Sequence, residues 1–587
     1  MGRLQSWVRQ YWPSLAAILL LWIEVAHVLA TSLRMNQGHL VYALDDSYIL
    51  MAMARNLARH GVWGMTPFLF SASSSGPLWT LLVACVYRAF GVNTFTPLIL
   101  NLLLATLLVF AVRWILASIC PALPNLYVLA VLLGVLFFSP VVNLIFLCLE
   151  HLLHMLATLL FVFYAGRILA DKSPPAPASR LTLIALGAAT SAVRYEGLFA
   201  VAVVAALLLL VRRRVRLAVE LALWSALPAF ILGVVSVGQG WFWLPNSVLL
   251  KGNLPLGEAH ALGLFLARIV TNTAGSGMRV VYLEAMSLLL ILWHYGEHHK
   301  SISLGPQKVA PGPPSGPAAC PAVAGHQQSH SLPMWMMGIF AAVATLHLAL
   351  AASNWFYRYE AYLVALGITV VAAPLWEFVR NLHWPHRFHA GDAAAVVALG
   401  LLILSANLFW RIGRLTLQLT PLAMHDTFRW HYQMGKFVQK YYQGDSLAVN
   451  DIGAADYMAD IHLTDPHGLA DREIGRIRLK NGGKLKPELL DAIARSRGVS
   501  VALVDENWVQ FFGGFSPSAI PSTWLLAGTW RYQHRVVLVP TGLSFYALNE
   551  AAKARLMENL RQFAPLLPPD VEQVGPYTEM KAGSRRQ

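Results

Sequence analysis

Long apolar runs of roughly 16–23 residues, separated by short polar links, fill the chain up to about residue 410. A helix needs about 20 apolar residues to cross the hydrocarbon core of a bilayer. The pattern therefore predicts a polytopic α-helical membrane protein of about eleven spans. They fall near 14–33, 95–117, 126–147, 152–170, 181–194, 197–211, 217–237, 280–295, 333–351, 361–379 and 391–409. The segment from Pro77 to Phe90 is apolar but only about 14 residues long, short of a span. Were it to cross, the cluster Arg212-Arg213-Arg214-Val215-Arg216 would fall outside, against the positive-inside tendency. It reads as a helix lying at the membrane surface.

Past Asn407 the pattern changes. Leu447–Asn450, Val499–Val504, Arg535–Val539 and Ser544–Leu548 have the shape of short buried strands. Pro487–Ser496 and Glu550–Phe563 read as helices, with Pro487 suited to a first turn. Alternation of this kind predicts a small α/β layer domain. The division expected is a transmembrane domain over 1–409, an extracytoplasmic α/β domain over 410–567 and an unstructured tail over 568–587.

Composition sharpens this picture. Of 587 residues 57% are hydrophobic and only 13% charged, and the mean hydropathy is +0.53. The net charge of +14 would suit nucleic acid, but the basic residues sit in short links where they fix topology, so nucleic-acid binding is set aside. Arg3 and Arg9 before the first span put the N-terminus in the cytoplasm, and an odd number of spans puts the C-terminal domain outside. The first span carries Glu24 and His27 and reads as retained, not as a cleaved signal. Lys308–Leu332, rich in Pro, Gly, Ala and Ser, is expected to be disordered. Four distant cysteines, with no CxxC, argue against a disulfide framework or a structural zinc site.

With this topology the ionisable residues that have no topological task collect on the outer side. The first outer loop holds Leu44-Asp45-Asp46-Ser47-Tyr48-Ile49, followed by an amphipathic helix over Tyr48–Leu57. Later outer loops hold Glu150-His151, Arg194-Tyr195-Glu196, Leu244-Pro245-Asn246 through Lys251, and Arg358-Tyr359. Charged groups at a membrane are costly and are usually kept for a task. A carboxylate at a cavity mouth can take a proton from an attacking hydroxyl, which nominates Asp45, Asp46 and Glu150 as catalytic residues. His151, Arg194, Glu196, Asn246, Lys251, Arg358 and Tyr359 are the candidate substrate-binding residues, the cations facing a phosphate. Each has a plainer role open to it. Asp45 or Asp46 can cap the helix, Arg194 and Glu196 can pair with each other, Lys251 can snorkel, and Arg358 can belong to an aromatic interfacial belt. No cofactor is demanded by these residues. A divalent cation held by Asp45 and Asp46 is left open. The chain has no Walker or Rossmann phosphate loop, no HExxH and no GxSxG, which points to a lipid-linked rather than a nucleotide-linked sugar.

The order of these motifs resembles the GT-C superfamily of polyprenyl-phosphate-sugar-dependent membrane glycosyltransferases. The likeness rests on Asp45-Asp46 in a long first outer loop, Gly76-Pro77-Leu78-Trp79 after it, and Leu149-Glu150 at the second. Arg194-Tyr195-Glu196-Gly197, Leu244-Pro245-Asn246 with Lys251, and Arg358-Tyr359 complete it. The Asp-Asp-Ser-Tyr-Ile form and the outer domain look most like the mycobacterial terminal arabinofuranosyltransferases. The resemblance implies an inverting transfer from a polyprenyl-phosphate sugar to a glycan, lipid or protein hydroxyl at the extracytoplasmic face of a bacterial inner membrane. It matches Asp45 to the catalytic aspartate, Asp46 to its acidic neighbour, Glu150 to the second-loop carboxylate, and Lys251 and Arg358 to groups near the lipid phosphate. His151 and Arg194-Tyr195-Glu196 depart from the usual residues. The alternatives are a transporter or flippase of lipid-linked sugar, which would need polar groups through the midplane, and a non-catalytic membrane scaffold.

Overall fold

A computed structural model describes residues 2–251, 261–303, 328–381, 390–505, 520–533, 535–536 and 541–578. The first part is helical: α1 (Gly2–Met35), α2 (Asp46–His60), α3 (Pro77–Phe90), α4 (Thr96–Ile119), α5 (Asn125–Phe138), α6 (Val141–Leu147), α7 (His151–Ala170), α8 (Pro177–Val193), α9 (Gly197–Leu210), α10 (Val215–Gly238), α11 (Asn246–Lys251), α12 (Ala261–Thr273), α13 (Met278–Ser303), α14 (Gln328–Leu350), α15 (Ala361–Arg380) and α16 (Ala390–Thr427). Among the described residues seven helices are long and apolar enough to cross a membrane. An eighth span arises if α5 and α6, bent by 41°, count as one. The protein is thus an integral membrane protein. The other three expected spans fall on α8, the 14-residue α9 and the first half of α16. Pro77–Phe90 forms the short helix expected, with Pro77 in its first turn. The outward faces of the spanning helices are apolar: Leu103 and Leu107 of α4 and Leu223, Trp224 and Phe230 of α10 are exposed. This is the reverse of a soluble helix.

The second part begins where a π-turn at Phe428–Tyr432 carries α16 into α17 (Gln433–Tyr441). Then follow β1 (Ser446–Val449), α18 (Ile452–Met458), β2 (His462–Thr464), α19 (Arg472–Lys480), α20 (Pro487–Ser496), β3 (Val501–Asp505), β4 (Leu525–Arg531), β5 (Gly542–Ala547), α21 (Glu550–Phe563) and β6 (Glu572–Val574). The strands form one mixed sheet in the order β2-β1-β3-β5-β4-β6, parallel across β2, β1 and β3 and antiparallel beyond. Alternation along the strands feeds two cores. Leu447, Val449, Val501 and Leu503 meet Phe437, Leu556 and Phe563 on one face. Ala448, Ala502 and Val504 meet Ile474, Leu490 and Ile493 on the other.

Three expectations change. The residues after Pro568 supply β6, which pairs with β4, so they belong to the sheet at least to Thr578. Helix α16 runs unbroken through the expected boundary at 409. Cys120 is disulfide-bonded, whereas Cys85 and Cys148 are free; spacing along a chain says nothing about a single long-range pair. The expected strand Arg535–Val539 and the stretch 308–327 of the Pro/Gly-rich link lie largely outside the described residues.

The two parts meet through α2. Its buried Arg55 bonds the Tyr457 carbonyl at 2.8 Å and pairs with Asp460 at 2.6 Å. Ile49, Ala52 and Met53 pack on Ile452 and Leu469. The approach is close enough that a Cβ on Gly453 would stand 2.3 Å from the Asp45 carbonyl oxygen. Gly453→Ala is therefore expected to loosen this joint, at a cost of about 1–3 kcal/mol as for other overpacked sites. Faster proteolysis of residues 446–464 in the full-length protein, with the spanning helices unaffected, would show it.

Candidate functional site

Adjacent on the chain, Asp45 and Asp46 go separate ways. Asp45 sits at the start of α2, yet its side chain makes no cap bond there. Its carboxylate accepts from the amides of Gly453 and Ala454, at 2.7 and 2.8 Å, across the joint to the C-terminal domain. His431 and Asp451 stand beside it, with His431 Nε2 2.9 Å from Asp451 Oδ2. Burial raises the Asp45 pKa to about 6; the His431 cation and the two amides pull it down and Asp451 pushes it up. Burial alone would lower the His431 pKa, but Asp45 and Asp451 outweigh it and hold it above its ordinary value. Asp45, His431 and Asp451 each offer one atom within 4.8 Å of the others, the group among the described residues best placed to hold a metal ion. Asp46 does not belong to it, so the pairing of Asp45 with Asp46 around one cation is not what the fold presents.

Asp46 instead lines a cavity of about 550 Å³ at the N-terminal ends of α7, α9 and α15. Glu150, His151, Arg194, Glu196, Arg358 and Tyr359 line it too. Seven of the ten residues nominated from sequence thus converge. Asp45 is not among them. Asn246 is not either: buried, it bonds Ala72 through its backbone amide and the Gly468 carbonyl through its side chain, fastening loops together. The Lys251 side chain lies outside the described residues. The other half of the cavity is apolar, with Leu149, Leu198, Phe199, Val248, Leu249 and Leu350.

The cations here are held in place from below. Arg194 pairs with both Glu150 and Glu196, the latter at 2.7 Å. Arg358 donates from Nη2 to Asp46 Oδ2 at 2.6 Å and to the Tyr359 hydroxyl at 2.9 Å. Its Nε and Nη1 are buried and have no partner among the described residues. The loop that presents it is strained: Asn354, Trp355, Phe356 and Tyr357 all have positive φ, a run that costs about 1–2 kcal/mol per residue. Such strain survives only where the surroundings overdetermine it. They do here. Glu360 accepts from the Asn354 amide at 3.1 Å and pairs at 3.0 Å with Arg279, both side chains 0% exposed. Arg279 also bonds the Phe138 carbonyl at 2.6 Å, and Asn143 bonds the Phe356 carbonyl at 3.0 Å. Sequence reasoning passed over Arg279 and Glu360 as site supports; an arginine at the start of an apolar span was the available signal.

Comparison with known proteins adds little detail. A family model described as a domain of unknown function (DUF8728) matches residues 423–546. No curated protein matches. Among solved structures, ArnT from Cupriavidus metallidurans bound to undecaprenyl phosphate is similar at a TM-score of 0.46 and 14% identity, covering 91% of this chain and 98% of that one. The Archaeoglobus fulgidus oligosaccharyltransferase in the apo form has a TM-score of 0.46 at 10% identity, covering 93% and 75%. The AglB complex from the same organism, with an inhibitory peptide and a dolichol-phosphate, has a TM-score of 0.43 at 10% identity over the same shares. The functional reading below rests on the geometry of the chain itself.

Two outcomes follow from that geometry. A Cβ on Gly76 would meet the buried Glu150 side chain at 2.8 Å. Gly76→Ala is expected to push Glu150 off Arg194 and to weaken any anionic ligand of the cavity by about tenfold, read by titration against wild type. At the joint, the Asp45 pKa raised to about 6 means that this carboxyl holds more protons in the folded state than in the unfolded one between about pH 4 and 6, and the raised His431 pKa acts with the same sign. Protection of the Gly453 and Ala454 amides from exchange should accordingly fall as pH rises through that window, after correction for the intrinsic rate. Protection that rises with pH would contradict the assignment.

Proposed function

We propose that the cavity transfers a glycosyl group from a polyprenyl-phosphate sugar to an acceptor hydroxyl, by single displacement with inversion, as GT-C enzymes do. The observation that carries this reading is Arg358. A buried guanidinium with two donors unpaired by protein is costly. An anionic oxygen in the cavity would complete it, and a phosphate matches the guanidinium fork. The apolar half of the same cavity suits the isoprenoid end of a lipid phosphate, and Asp46 lines that cavity beside Arg358. The motif order described from sequence supports the same class.

In this mechanism Asp46 takes the proton of the acceptor hydroxyl as its oxygen attacks the anomeric carbon. A new carbon–oxygen bond forms there. The bond from that carbon to the phosphate oxygen breaks, and its electron pair leaves on the phosphate, where Arg358 meets the growing charge. Glu150 and Glu196 hold Arg194 beside the site. The catalytic role given to Asp45 by resemblance passes in this proposal to Asp46, because Asp46 lines the cavity and Asp45, turned to the Gly453 and Ala454 amides, does not. The extracytoplasmic face of a bacterial inner membrane remains the setting proposed, with arabinofuranosyl and mannosyl donors the first to try.

Purified protein should release polyprenyl phosphate from one donor in a panel of arabinofuranosyl, mannosyl, glucosyl and galactosyl lipid phosphates. Asp46→Asn should lower that rate by about 10²–10⁴-fold, and Arg358→Ala by about 10²–10³-fold, while Asp45→Asn acts through the joint and costs less. A rate undiminished in Asp46→Asn and abolished in Asp45→Asn would return the base to Asp45. Transport of a lipid-linked sugar without release would reject transfer altogether.

A further inference from the structure

A second cavity, of about 530 Å³, is lined in part by chain neighbours of residues that line the first. The volume is within the range of about 300–1,000 Å³ typical of small-ligand sites. Ser71 and Ala470 line the second cavity, Ser73 and Leu469 the first. Between them Ser73 Oγ donates to the Leu469 carbonyl at 3.0 Å and lies 3.1 Å from Ser71 Oγ. The small-residue stretch after α2 and the loop after β2 thus each contribute to both cavities and are joined to each other by this hydrogen bond.

The chemistry of this cavity differs from that of the first. Ring faces form part of it: Phe68 stacks on His462 with centroids 4.2 Å apart and planes at 16°, and Phe70 meets Trp241 edge-on at 6.2 Å. Opposite stands an ionic triad in which Arg497 pairs with Asp471 and, at 2.6 Å, with Glu473. Glu473 keeps 58% of its side chain exposed. With Arg472 the charges balance, two of each sign. With its cations matched by carboxylates, the lining carries no net charge that would select an anion. Rings beside carboxylates and a guanidinium suit a ligand with apolar C–H faces and a rim of hydroxyls.

We infer that this second cavity is the acceptor subsite, and that it takes a neutral saccharide whose end hydroxyl reaches Asp46 when the Ser73–Leu469 contact parts. The inference rests on the transfer reading above and supplies what that reading lacks, the chemical class of the acceptor. It also gives the C-terminal domain a task, since β2, the start of α19 and Arg497 build one side of the subsite.

The test is binding, without turnover, on the full-length protein. Neutral pentasaccharides of arabinofuranose, mannose, glucose and galactose would be titrated by calorimetry. At least one should bind with a Kd of about 1 mM or tighter. Trp241→Ala and the surface change Glu473→Gln should each weaken it by about tenfold or more, and Lys436→Gln, an exposed change on α17 outside both cavities, should leave it unchanged. No binding by any saccharide, or binding indifferent to both Trp241→Ala and Glu473→Gln, would overturn the assignment, as would a preference for a peptide paired along the β2 edge. Saccharide binding in a protein that transfers from no lipid-phosphate donor would support the subsite and count against the donor chemistry alone. Transfer to an acceptor with no saccharide binding would do the reverse.

Discussion

A charge at the edge of a membrane must be paired or it will not stay, and the half of this protein that holds the first cavity is built on that constraint. Around the first cavity and the loop that presents Arg358, three buried arginines are each matched: Arg279 to Glu360, Arg194 to Glu150 and Glu196, Arg358 to Asp46. The pairs differ in what they leave over. Arg279 and Glu360 spend their capacity on the scaffold, bonding backbone groups of the loops around them. Arg358 keeps two buried donors that no side chain among the described residues answers. A buried pair contributes little net stability, because desolvation offsets attraction. Its value here is geometric, since it holds a strained loop in one shape and aims one guanidinium at a cavity.

The same economy explains the aspartate pair. Two neighbouring carboxylates at the head of a helix would repel each other if both faced one site. They are separated by being turned to opposite partners, one to backbone amides and a histidine of the C-terminal domain, the other to Arg358. Asp45 thereby ties the position of Asp46 to the docking of that domain. The domain is then part of the site without contributing a group to the first cavity other than Leu469.

Much of the fold was legible in the chain. The helices at the expected spans, the short helix Pro77–Phe90 and the helices Pro487–Ser496 and Glu550–Phe563 lie where periodicity and punctuation put them. Strand β4, Leu525–Arg531, was missed, because its run of Leu, Ala, Gly and Thr has neither clear alternation nor β-branched density. Strands β2 and β6 are three residues each, too short for any pattern to register. They exist because a neighbouring strand offers them hydrogen bonds.

Composition and spacing by themselves determined that this chain crosses a membrane, that its spare ionisable residues gather on one face, and which residue types meet there. Hydrophobic length and charge placement are local properties, and they are written in order along the chain. Which of two adjacent aspartates faces the cavity, which arginine is left with free donors, and that a second cavity shares lining segments with the first were decided only by tertiary packing. Those outcomes depend on approaches between Asp45 and Gly453, Ser73 and Leu469, and Glu150 and Gly76. Residues up to about 400 positions apart meet there, at separations set by the absence of a Cβ or the reach of one hydroxyl, and no periodicity encodes such a meeting.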